Sequence, residues 1–514
     1  MNGADLLLGP ALHQKLGNTP ALINDNGIVT YQQLSDKAAR TGSVFSNLGL
    51  GKGDRVLLII ADCPQFYYAY LGAMKIGAVP IALNLRLSQH ELCHIIQDCT
   101  PKLIIIDADY GDLVSSAINN MSHPPTIIIS AHHDHPTLTW AVFDDLLSSH
   151  LSAIHSADMN GNDTALWMYT SGTTGKPKAV VHRLSSLIGV EVYLQQVYGL
   201  KPGQRIYCTS KLFFAFALGH CLLAALRIGA TIIINASWPS VETVSSIVET
   251  YKPQVMLSVP TMFRNLLTGN MAQGDAFKSI NTFIAAGENL PLSLNDNWHK
   301  ATGNSICEGI GATETLMMFM GASPDDELVG ATGKPLPGIQ ISLRDERGNI
   351  ITVANQPGEA WVKSKHLATQ YWQQPEQTAE KFTGRWYHTG DVFICDDQGR
   401  YFHRGRADDM LKISGQWVSP VEIEECVLQH DHIEQAGVVG IKNADHLIRL
   451  ALCLVTTKSC TDFSRLENEL TEMMKAKLAI YKCPRRFLYL PDFPKTATGK
   501  LQRYKLRECV INEA

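Results

Sequence analysis

Apolar runs of strand length alternate with helical patterns through the first two thirds of this chain. Residues 55–60 read RVLLII, an uninterrupted apolar run after Arg55. Residues 64–77, PQFYYAYLGAMKIG, read as a helix closed by Gly77, and 78–83, AVPIAL, as a second buried strand. Together they predict a βαβ unit. The alternation returns at 102–107 (KLIIID), at 230–235 (ATIIIN) followed by 240–251, and at 254–260 (QVMLSVP). Strands covered on both faces are continuously apolar, so the predicted fold class is α/β, with parallel-rich sheets covered by helices. No fixed-period repeat interrupts it.

After about Gly358 the pattern changes to short strands and turns, and the polar stretch 403–409, HRGRADD, marks a boundary. The expected organisation is a large N-terminal domain, 1–405, and a small mobile α+β C-terminal domain, 406–514. Within the second, 420–430 reads as a helix, 436–442 and 447–455 as strands, and 466–479 as an amphipathic helix. The stretch 494–503, PKTATGKLQR, is polar and expected to be mobile.

Composition narrows the class of partner. With 514 residues, 45% hydrophobic and 18% charged, the chain can bury more than one core. A formal charge of −5 lacks the basic excess that nucleic-acid binding wants, so small molecules are the expected partners. Twelve cysteines lie without CxxC spacing and the first residues lack the order of a secretory signal, which predicts reduced thiols and a cytoplasmic protein. The longest apolar runs, such as 56–61, fall far short of the ~20 residues that span a bilayer, so no membrane partner is expected.

The chemistry begins at 169–180, YTSGTTGKPKAV. Ser171, Thr173 and Thr174 offer hydroxyl and backbone donors, while Gly172 and Gly175 allow close backbone approach, the composition that holds nucleotide phosphates. Lys176 and Lys178 add positive charge. The common P-loop order is excluded because Pro177 follows Lys176. Alone, such a cluster reads more readily as a polar surface turn.

Five further segments change that balance: 310–315 (IGATET), 386–391 (WYHTGD), Arg406 with Asp408 in GRADD, the stretch from Lys412 (LKISGQWVSPVEIE after Met410), and PKTATGK ending at Lys500. With the loop, and in this order over nearly the whole chain, they resemble the acyl-adenylate-forming superfamily of acyl-CoA synthetases, adenylation domains and luciferases. The resemblance implies ATP, Mg²⁺ and coenzyme A. It places ATP on Thr170, Ser171, Gly172, Thr173, Thr174, Gly175, Lys178, Glu308, Gly309 and Ile310, with adenine nearer Gly287, Glu288 and Asn289. Thr313 would bond a phosphate and Glu314 would hold the metal, against the plainer reading of a helix start capped by Thr313.

By the same resemblance Asp391 accepts from the ribose hydroxyls and Arg406 lies on ribose or phosphate, against a solvated turn aspartate and a linker arginine. Asp408 matches the hinge about which the small domain turns. Lys412, Ser414, Gly415 and Trp417 belong to the loop that meets CoA, Gly415 letting pantetheine pass where a Cβ would intrude. Lys500 matches the catalytic lysine of adenylation, serving the first step only, although composition alone makes it a tail charge.

The segment 211–220, KLFFAFALGH, resembles that of benzoate-CoA and anthranilate-CoA ligases. The implied acyl pocket is Phe216, Ala217, Ala286, Gly287, Gly311 and Met317, an aromatic wall suited to a small flat carboxylic acid. Two departures matter, since those enzymes usually carry Tyr at Phe216 and His at Met317. Both remove a polar tip and predict an apolar, adaptable pocket. A third, Ala179 for the usual glycine, lies in the loop.

The expected reaction makes aryl-AMP and pyrophosphate, then aryl-CoA and AMP. A rival passes the acyl group to a carrier protein, and a homodimer is left open. A non-catalytic nucleotide binder would be expected to lose Lys500, Glu314 or Asp391, and all three are present. Two histidine groups, 132, 133 and 135, and 430 with 432, lack carboxylate or cysteine neighbours at metal-site spacing and read as surface histidines rather than zinc ligands.

Overall fold

The computed structural model describes residues 1–119, 121–131, 138–149, 154–171, 176–326, 330–413, 416–442, 448–457, 460, 462–495 and 501–512. Lys500, the phosphate-loop residues Gly172, Thr173, Thr174 and Gly175, Ser414 and Gly415 of the CoA loop, and His132, His133 and His135 lie outside them.

The predicted βαβ unit is present. Strand Arg55–Ile59 runs parallel to Val79–Ala82 and to Leu103–Ile106, and helix Pro64–Lys75 links the first two. This helix starts on Pro64, whose fixed φ suits a first turn, and is followed by Gly77 at φ +74°, a conformation that ends a helix without strain only for glycine. Around it an eight-stranded sheet extends from Gln370–Tyr371 at one edge to Ala141–Val142 at the other.

The runs in the middle of the chain build a second sheet. Its order is Lys334–Pro335, Met318–Gly321, Ile306–Gly311, Thr282–Ala285, Val255–Ser258, Arg205–Cys208, Thr231–Ile233, Pro20–Asn24 and Gly27–Thr30. The central pairings are parallel, and antiparallel strands close both edges. Between the two sheets a large apolar core collects Tyr31, Phe45, Phe66, Tyr67 and Tyr70 with the π-helix Leu218–Ala224.

The change of pattern after Gly358 corresponds to an antiparallel sheet of Gln340–Arg344, Pro357–Lys363, Trp386–Cys395, Phe382–Thr383 and Tyr401–Arg406. From Leu411 onward the residues bury their own cores. One joins helix Pro420–Val427 and helix Phe463–Lys477 to one face of the strands Ile433–Lys442, Ile448–Thr456 and Arg486–Tyr489, and another packs Leu506 and Val510 on Val439, Ala451 and Cys453.

The C-terminal end differs from its polar appearance. A bridge pairs Lys495 with Leu501, and a helix then runs over Arg503–Asn512 with Leu506 and Val510 fully buried. Two apolar positions four apart make one turn of contact, too short a stripe to register beside Arg, Lys and Glu in the sequence. No helix among the described residues is long and apolar enough to cross a membrane.

Candidate active site

Strands Thr164–Ser171 and Pro177–Arg183 form an antiparallel hairpin with Thr170 opposite Lys178, so the ends of the Gly/Ser/Thr loop are fixed by sheet register. Lys178 is 9% exposed, and its Nζ lies 3.6 Å from the ring centroid of Tyr371. Burial pulls this ammonium below the usual lysine range, and the Glu314 carboxylate opposes that shift. The lysine is thus held in place by a cation–π contact.

The same tyrosine turns its hydroxyl onto Glu314, donating to Oε1 at 2.7 Å. Thr313–Thr315 is a 3₁₀ turn whose cap position is Ala312, not Thr313. Thr315 closes the turn, its hydroxyl accepting from Ala312 N at 3.0 Å and donating to Met317 O at 2.7 Å. Two distant groups anchor it: His182 Nε2 donates to Thr313 O at 2.8 Å, and Ala368 N to Glu314 O at 2.8 Å. The hairpin, the IGATET turn and the Tyr371 strand therefore meet at one place. Glu314 is 7% exposed, and as a hard oxygen donor beside the Thr313 hydroxyl it is chemically suited to Mg²⁺.

Asp391 lies within strand Trp386–Cys395, in register with Arg406 on Tyr401–Arg406, so neither is a turn or linker residue. Arg406 Nη1 donates to Thr389 O at 2.8 Å and to Asp391 Oδ1 at 3.2 Å. His403 Nε2 stands 3.5 Å from the same carboxylate oxygen. Gly390, at φ +75°, leaves room for this arginine, because a Cβ there would sit 2.8 Å from its Nη2.

At the positions assigned to adenine, Gly287 has φ +91° and Glu288 accepts from Thr261 N at 3.1 Å and Oγ1 at 2.7 Å. Asn289 reaches across to the small domain, donating to Glu425 Oε1 at 2.7 Å. Burial, and next the Glu425 charge, push the Glu308 carboxyl up to about 8. Gly311 is required by the backbone beside it, where a Cβ would come within 2.9 Å of Met317 O, and at Gly309 a Cβ would meet the flexible Met318 Sδ at 2.5 Å. Ile310 is half-buried between them.

Of the residues assigned to the acyl pocket, Ala217, Ala286 and Met317 are buried in one apolar core and Phe216 packs at its margin, whereas Gly287 and Gly311 are exposed. Leu316, at φ +62°, is a left-handed β-carbon-bearing residue of the kind that gathers at functional sites. Gly219 permits the contact between the π-helix and this segment, since a Cβ would lie 2.9 Å from Leu316 O.

Asp408 is exposed in the turn Ala407–Asp409, just before strand Leu411–Ile413. Its neighbour Asp409 is 3.3 Å from Arg503 Nε, and Arg503 Nη1 also donates to Glu424 Oε1 at 2.5 Å. In the CoA loop, Lys412 pairs with Trp417 across a short hairpin. Among the described residues no group of three His, Cys, Asp or Glu side chains could hold a metal, and His430 pairs with Glu469 at 3.2 Å, a carboxylate too distant in sequence to be anticipated.

Sequence reasoning missed Tyr371, His182, Ala368, His220, Glu425 and Arg503. All but His220 lie far along the chain from what they touch. His220 ends the quoted aromatic segment, and that was its only signal.

These arrangements lie at the junction of two sheets and the small domain. The chain belongs to the AMP-binding enzyme family, whose model matches residues 11–372, with the AMP-binding enzyme C-terminal domain matching 422–500. It is 39% identical over 508 residues to a 3-hydroxybenzoate–CoA ligase of Aromatoleum sp. (strain CIB), covering 99% of this chain and 97% of that protein. Among solved structures, the anthranilate CoA ligase AuaEII in complex with anthranoyl-AMP superposes with TM-score 0.93 at 29% identity, covering 100% and 98% of the two chains. A benzoate CoA ligase from Burkholderia xenovorans LB400 gives TM-score 0.89 at 31% identity, covering 99% and 100%.

Proposed function

We propose that this protein is an ATP- and Mg²⁺-dependent aryl-CoA ligase acting on a benzoate-type acid. The observation that carries the reading is the meeting of Lys178, Tyr371 and Glu314 beside an apolar aromatic wall, in a chain 39% identical to a 3-hydroxybenzoate–CoA ligase over 99% of its length. The carboxylate oxygen of the acid attacks the α-phosphorus of ATP, forming the acyl–phosphate bond and expelling pyrophosphate. The CoA sulfur then attacks the acyl carbon, and AMP leaves with the electrons of the carbon–oxygen bond.

In this reading Asp391 accepts from the ribose hydroxyls, with Arg406 keeping it oriented, and Glu288 and Asn289 line the adenine edge. Thr313 bonds phosphate. Glu314, oriented by Tyr371, is the protein ligand for Mg²⁺, which when bound neutralises charge on phosphate oxygens. Lys178 and Lys500 direct positive charge at the departing pyrophosphate. The domain division at 405/406, with Asp408 as hinge, and the approach of CoA past Lys412, Ser414, Gly415 and Trp417 belong to the same proposal.

The test is mass spectrometry of products from purified protein, Mg·ATP and a panel of benzoates, hydroxybenzoates, aminobenzoates, cinnamates and short fatty acids, with and without CoA. Aryl-CoA formed only with CoA, and from benzoates in preference to fatty acids, is the expected result. Aryl-AMP that accumulates unconverted with CoA present would overturn CoA as acceptor and point to a carrier protein.

A further inference from the structure

His220 is 1% exposed within the π-helix Leu218–Ala224, its ring 4.9 Å from that of Phe216. The Nδ1–H donates to Phe216 O at 2.6 Å. Burial pulls the imidazole down to about 4, so it is neutral near pH 7. A neutral imidazole that donates from Nδ1 has an acceptor lone pair on Nε2, and no described residue donates to that atom.

Two further buried polar atoms continue from it. Tyr193 stands edge-on to His220 at 5.4 Å, and Tyr198 edge-on to Tyr193 at 6.2 Å. Both are 5% exposed, and neither hydroxyl has a hydrogen-bond partner among the described residues. Buried polar atoms are nearly always bonded, so three orphans in one contact series mark a place suited to a polar ligand atom.

That place adjoins the acyl wall. A Cβ on Gly219, the residue before His220, would lie 3.0 Å from Met317 Sδ, and one on Gly321 would lie 2.7 Å from the Tyr198 hydroxyl. Phe216 and Met317, where the chain lacks the polar tips usual in benzoate-type enzymes, are thus both neighbours of this helix turn. The geometry points to His220 as the residue that reads a hydrogen-bond-donating ring substituent, hydroxyl or amino, on the aromatic acid, an inference that rests on the aryl-CoA ligase reading. In this tautomer Nε2 can only accept, so methyl, chloro and methoxy groups cannot satisfy it.

The experiment compares kcat/KM for hydroxy-, amino-, methyl- and methoxybenzoates at each ring position, in wild type, His220→Leu and His220→Gln. Wild type should favour at least one hydroxy or amino acid over its methyl counterpart by about tenfold or more, because a site built to bond a donor rejects the analogue lacking it. The two substituent series separate hydroxyl from amino recognition. In His220→Leu the ratio should fall to within about threefold, and His220→Gln, which restores an acceptor, should recover part of it.

A wild type with no such preference overturns the assignment. So does a leucine variant that lowers both acids equally, since that is a structural effect. If no acid yields adenylate or thioester, the ligase reading fails separately. Calorimetric titration of the acids with AMP present then decides His220: tighter binding of the hydroxy or amino acid that is lost in His220→Leu supports it, and equal or absent binding overturns it.

Discussion

Tyr371 and Glu314 are joined by a 2.7 Å hydrogen bond across 57 residues of sequence, from an edge strand of one sheet to a turn at the end of the other. The tyrosine is 2% exposed and carries Lys178 on its ring. One side chain thus positions both an acid assigned to the metal and a cation assigned to phosphate.

Tyr371→Phe keeps the ring beneath Lys178 and removes the bond to Glu314. The expected cost is about 1.5–3 kcal/mol of stability, the usual range for a hydrogen bond to a charged group. Adenylation should demand more Mg²⁺, with a tenfold or so lower rate at limiting metal. Pyrophosphate release measured against Mg²⁺ concentration checks this, and an unchanged metal dependence would remove Tyr371 from the site.

The raised carboxyl of Glu308 gives a pH dependence of known sign. Its proton is held up to about pH 8 in the folded protein, whereas an unfolded chain releases it near the ordinary carboxylate range. The folded state therefore binds more protons between those limits, and its stability falls as pH rises through them. Below that window the effect is absent. Glu308→Gln should flatten the decline, so the Tm difference between variant and wild type should grow from pH 5 to about pH 8. Melting curves across that range provide the check.

Lys500→Ala should slow adenylate formation by about a hundredfold while sparing thioester formation from preformed aryl-AMP. Gly415→Ile should do the reverse, since its side chain would obstruct pantetheine. Single-turnover assays of each half-reaction separate them. A loss of threefold or less in the first step would end the role assigned to Lys500.

Arg503 ties the last helix to the turn Ala407–Asp409 through Asp409 and to helix Pro420–Val427 through Glu424. Glu424 also accepts from Val438 N at 2.7 Å and is 8% exposed. Arg503→Ala would leave that carboxylate without its cation, and a loss of about 3–5 kcal/mol is expected for a broken buried pair. Denaturant melts of the full chain measure it, and a loss below about 1 kcal/mol would show an exposed, weak pair.

The chain's sequence was enough to determine the buried strands and the βαβ alternation and which chemical groups gather in motifs, but not the last helix, Arg503–Asn512. A buried parallel strand such as 55–60 or 102–107 carries its signature in consecutive residues, and the hydroxyl, glycine and carboxylate sets at 169–180 and 310–315 lie within single loops. Family membership followed from the order of those motifs. The partners of the motifs came only with the tertiary structure. Register placed Arg406 opposite Asp391, sheet packing brought Tyr371 and His182 to the 313–315 turn, and the small domain set Glu425 against Asn289. The polar His220 in an otherwise apolar wall became informative once its two nitrogens could be told apart. Local periodicity is a property of neighbours within a few turns of chain. Contacts across 57 or 136 residues depend on how whole sheets stack, which no window of the sequence contains.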